Sequence, residues 1–98
     1  MTADTTTTPL HYAAALLDAV GADRDQVPAE IALHCLYAAE LLELAGARPV
    51  PTELIDGDVR ITLRVAMAAL ADLDEDVFAR PPVLDAARAA RHALRRLG

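Results

Sequence analysis

The 98-residue chain is short enough to be one domain and long enough to own a hydrophobic core. Hydrophobic residues make up 54%, which excludes disorder, yet much of that share is alanine and only Tyr12, Tyr37 and Phe78 are aromatic, so the core is thin for its apolar count. A net charge of −6 repels polyanions, and the single cysteine, Cys35, excludes an internal disulfide framework and any CxxC zinc site.

Residues 1–8 read as a disordered tail, since consecutive threonines offer nothing to bury, and residues 9–98 as a single helical-bundle domain. Thr8 is placed to cap a helix that opens at Pro9, where a missing N–H costs nothing. Leu10, Ala13, Ala14, Leu17 and Val20 then share its apolar face, and Gly21 is expected to stop it. After a charged connector, Pro28 restarts the chain as the first residue of a second helix running to Ala45, with Gly46 as its stop. The apolar residues of this helix go almost all the way round. Ile31, Cys35, Ala38, Leu42 and Ala45 form one face, and Leu33, Tyr37, Leu41 and Leu44 form another nearly opposite. A surface helix normally shows one apolar arc of somewhat over ~100°, so this one is either the central helix of a bundle or part of a subunit interface.

Prolines and an Asp56-Gly57 turn divide the next stretch into a short helical turn at Pro51 to Ile55 and a break at Gly57. Beyond it, Val59, Ile61, Leu63 and Val65 alternate with polar residues as in a strand, whereas Val59, Leu63, Ala66, Leu70 and Leu73 keep helical spacing. The helix is preferred, with Asp58 as its N-cap, because a lone strand leaves its backbone unsatisfied. The acidic cluster Asp72, Asp74, Glu75 and Asp76 lacks the glycine and glutamate of a calcium loop. It reads as a solvated linker that caps the following turn, with Val77 and Phe78 folding back as a plug and Phe78 buried. Pro81-Pro82 opens the last helix, whose Val83, Ala86, Ala87, Ala90, Leu94 and Leu97 are apolar while Arg88, Arg91, Arg95 and Arg96 line the other side. The expected fold is all-α: a small four-helix antiparallel bundle with short links and a short extra helical turn before the third helix.

No glycine-rich loop or convergent polar cluster marks an enzyme, and no catalytic residue, metal site or cofactor is assigned. The leading expectation is a non-catalytic interaction or accessory protein that works through a homodimer or a partner protein, with Leu33, Tyr37, Leu41 and Leu44 at the interface. The alternative is a small-molecule-binding or catalytic bundle whose pocket is lined by His11, His34 and Tyr37. A third reading has the basic surface of Arg88, Arg91, Arg95 and Arg96 touch DNA, but the acidic chain and the lack of stacking aromatics disfavour nucleic acid. Those arginines read first as partners for Glu40, Glu43 or the Asp72–Asp76 cluster. Glu30 and His34 share a helical face as a hydrogen-bonded pair, or as half of a metal site completed by His11 or by a second chain. Cys35 reads as a core residue more than a nucleophile. The amino terminus carries no basic residue or apolar run of a signal peptide, and no stretch matches a membrane span, so a cytoplasmic location is expected. Arginine as the only strong base, with abundant alanine and aspartate, fits a GC-rich bacterial genome.

Overall fold

A computed structural model describes residues 8–97. Four longer helices form the body, α1 (Thr8–Ala22), α2 (Ala29–Leu44), α3 (Val59–Ala71) and α5 (Pro81–Leu97), with a single turn α4 (Glu75–Phe78) before the last. A 3₁₀ turn at Ile55–Gly57 precedes α3, and none of the described residues forms a strand. The expected tail lies outside the described residues except for Thr8, which is the first residue of α1.

Cross-helix contacts set the directions. At one end the α5 terminus meets the start of α2, where Arg96 pairs with Glu30, and the start of α3, where Arg60 donates to the Leu97 carbonyl. The Gln26 amide donates to the Gly57 carbonyl at that same end. At the other end Arg80 reaches the Ala45 carbonyl and His11 meets the amide of Arg48. Around the bundle the order is α1, α2, α5, α3, and every pair of neighbours is antiparallel. Diagonal helices are parallel, so α2 and α3 run in the same direction and their link is not short. Residues 45–58 travel the length of the bundle as a strap, along which Val50 and Thr52 line a shallow hollow with His11, Tyr12 and Ala15 of α1.

This strap explains which helix is enclosed. In α1 the residues Leu10, Ala13, Ala14, Ala15, Leu16, Leu17 and Val20 are all buried, more than one stripe of a helix can supply. The central helix is thus α1, flanked by α2 and α3 and covered by the strap, and not α2.

Local chemistry accounts for most boundaries. Pro28 is the N-cap of α2 and Ala29 its first residue. Gly46, at φ 109°, ends α2 with its own N–H on the Glu43 carbonyl and the Ala47 N–H on the Leu42 carbonyl, the paired bonds of a Schellman stop. Asp58 caps α3 by accepting from the Ile61 amide at 3.0 Å. Thr62 is fully buried: its hydroxyl donates to the Asp58 carbonyl at 2.7 Å and accepts from the Ile55 amide at 2.8 Å, locking the 3₁₀ turn onto α3.

Four further expectations need correcting. Gly21 does not stop α1; it lies inside the helix, where a Cβ would sit 2.5 Å from the Leu36 side chain, so its bareness lets α1 and α2 approach. The extra turn falls at Ile55–Gly57 because Asp56 and Gly57 both adopt left-handed conformations there, and Pro51 to Leu54 stay non-helical. The acidic cluster is exposed, but Asp74 makes no side-chain cap to α4. Val77, at 6% exposure, is the plug, while Phe78 is half-buried against the core.

Candidate functional site

The face of α2 that points away from α1 and α5 is apolar and bare. Leu33 is 67% exposed, Tyr37 55% and Leu44 77%, with Leu36 beside them at 37%. Leu41, expected on this face, is buried at the α5 side because its position turns about 80° from Leu33 on the helical wheel. The exposed residues Leu33, Tyr37, Glu40 and Leu44 are spaced four, three and four apart, the alternation of a seam between two helices. A groove of about 410 Å³ adjoins its amino-terminal end, lined by Gly21, Val27, Ala32, Leu33 and Leu36 with Asp23 and Arg24 at the rim.

On the flank of that seam, α2 meets α5. His34 and His92 bring their ring centroids to 4.5 Å with planes at 67°, an edge-on approach. Glu30, one turn before His34, joins them: a ligand atom from each of the three residues lies within 4.8 Å of the others. Arg96, one turn after His92, places Nη2 3.4 Å from Glu30 Oε2, with both side chains more than half exposed. The Glu-x-x-x-His of α2 therefore faces a His-x-x-x-Arg of α5 in mirrored register. Among the described residues neither imidazole has a hydrogen-bond partner, so the expected Glu30–His34 bond is not formed. The sequence alone does not set His92 apart; the mirrored four-residue spacing on two helices is the pattern that marks it.

The three residues of the expected pocket are not brought together. His11 sits at the far end of α1, where Nδ1 accepts the Arg48 amide at 2.8 Å, so it anchors the strap. Arg48 follows the carboxyl end of α2, which by helical rise lies roughly 15 Å from His34. The hollow containing His11 has a volume of about 220 Å³, below the roughly 300–1,000 Å³ of ordinary small-molecule sites. Tyr37 stands on the outer face instead. Nor does His11 complete the Glu30–His34 set; His92 does.

Cys35 is completely buried and burial pushes its thiol up to about 12, which keeps it protonated and inert. Of the α5 arginines, Arg88 pairs with Asp85 and Arg96 with Glu30, not with the acids expected of them, while Arg91 and Arg95 are exposed and make no ion pair among the described residues.

No helix among the described residues is long and apolar enough to cross a membrane. No known protein family's sequence profile matches the chain, and neither a curated protein sequence nor a solved structure matches it.

Proposed function

We propose that this chain is a non-catalytic helical interaction module that pairs with a second copy of itself through the outer face of α2. One observation carries the reading: an apolar stripe of Leu33, Tyr37 and Leu44, each more than half exposed, on a helix whose other sides are already packed. Isolated exposed leucines are ordinary, but large apolar side chains aligned on one helix face, interrupted there by Glu40 alone, mark a contact surface.

The spacing of the stripe favours a copy of itself as the occupant. Laid antiparallel across a two-fold axis near Ala38 and Ala39, two α2 helices oppose Leu33 to Leu44 and Tyr37 to Glu40. The most exposed leucine thus meets the helix end that borders the 410 Å³ groove, and the phenol can donate to the carboxylate that otherwise interrupts the stripe. The pocket reading has lost its shared cavity. Of the four α5 arginines in the DNA reading, Arg91 and Arg95 alone make no ion pair among the described residues, and they sit on an acidic chain.

Light scattering coupled to size exclusion tests the proposal, over protein concentrations of about 1–100 μM. The parent should dimerise reversibly, one helix face being a small interface, and Leu44→Glu should yield a monomer of unchanged helicity. A parent that stays monomeric, or a dimer indifferent to Leu44→Glu, overturns it. Leu41→Glu is the wrong probe, because it would put a charge into the core.

A further inference from the structure

We propose that Glu30, His34 and His92 form a binding site for a divalent transition-metal ion, with zinc as the probe, on the seam between α2 and α5. Two imidazoles and a carboxylate are the donor set that zinc, nickel and copper favour, and three protein ligands leave a position open to water. The donor atoms lie within 4.8 Å of one another. Around an ion with bonds of about 2.1 Å they would need to close to roughly 3.4 Å, a contraction that side-chain rotation supplies. Glu30 and His92 are exposed and free to turn, while His34 is half-buried and fixes the position of the site on α2. The edge-on approach of the rings lets ring nitrogens converge on one point, and no hydrogen bond among the described residues has to be broken to free them.

Arg96 gives the site a signature of its own. Its guanidinium lies 3.4 Å from Glu30 Oε2 and acts as a competing cation on one ligand of the set. Metal binding therefore has to displace Arg96 or use the other carboxylate oxygen. Removing Arg96 should strengthen binding, whereas an ion held loosely by surface histidines would be indifferent to it.

The test is isothermal titration of zinc into the untagged full chain, paired with the visible absorption of cobalt(II) in the same site. One ion per chain is expected. His92→Ala and Glu30→Gln should each weaken binding at least about tenfold, while Arg96→Ala should tighten it severalfold. His92 and Glu30 are exposed, so these variants should fold, and circular dichroism verifies that they do. Absence of binding at millimolar zinc, retention of full affinity in His92→Ala, or loss of binding in His11→Ala overturns the site. The inference is independent of pairing through α2: the monomeric Leu44→Glu variant should bind zinc as the parent does, and its failure to do so would count against a site built within one chain.

Discussion

At Cys35 the physics of burial becomes measurable. The folded chain holds its thiol at about 12, whereas the unfolded chain ionises it near ~8.5. Between those values the unfolded state binds fewer protons than the folded one, so stability falls as pH rises. The contribution is complete below about pH 8.5 and is lost progressively toward pH 12, with a slope of at most ~1.4 kcal/mol per pH unit. Cys35→Ala should lower stability through the cavity it leaves, yet flatten the pH dependence. Urea denaturation of both proteins from about pH 8 to pH 10.5 decides it, and parallel profiles would contradict the assignment. Other residues differ in how visible they were beforehand. Asp58 and Gly46 act through their own turn of chain, so capping chemistry was readable in the sequence. Thr62 and His11 act on segments seven and 37 residues away, and a polar side chain in the sequence does not declare its partner.

Between elements, α1 and α2 cross tightly at Gly21. An alanine there gains up to ~1 kcal/mol in helix propensity, but its methyl would lie 2.5 Å from both Cγ and Cδ2 of Leu36 and 3.2 Å from the Ala32 carbonyl oxygen. Overpacking of that kind costs about 1–3 kcal/mol, so Gly21→Ala should destabilise the parent by about 1 kcal/mol. In a Leu36→Ala background most of that cost should vanish, and a double-mutant cycle in urea reads the coupling directly. Additive effects would mean that the helices slide apart instead. The same crossing shows the limit of periodicity. Hydrophobic spacing revealed all four long helices and both apolar faces of α2, since 3.6-residue patterns are local. Which face is covered depends on where the neighbours and the strap go, so α2 looked central when α1 is. The mirrored Glu30–His34 and His92–Arg96 pairs were readable only once α2 and α5 were known to be antiparallel neighbours.

For the whole molecule, charge is sorted by helix. The helices α1 and α2 carry Asp18, Glu30, Glu40 and Glu43 and no arginine, while α3 and α5 carry Arg60, Arg64, Arg88, Arg91, Arg95 and Arg96 against Asp85 alone. Two copies meeting through α2 bring their acidic sides together, so added salt should strengthen the pairing by screening that repulsion. Sedimentation at about 50 and 500 mM salt separates this arrangement from a stack of acidic side on basic side, which salt would loosen.

Seen in terms of connectivity, the strap joins two antiparallel hairpins, α1 with α2 and α3 with α5, and most of the core is made where one hairpin docks on the other. Its segment from Val50 to Glu53 is exposed and contributes no buried side chain. It serves there as a tether, holding the halves at a local concentration on the order of millimolar. Residues 1–50 and 51–98 supplied as separate peptides should therefore rebuild the bundle in a concentration-dependent way, with a dissociation constant equal to that local concentration divided by the folding equilibrium constant of the intact chain, and helicity followed by dilution would show it. The intact chain folds at any dilution because it never has to find its other half.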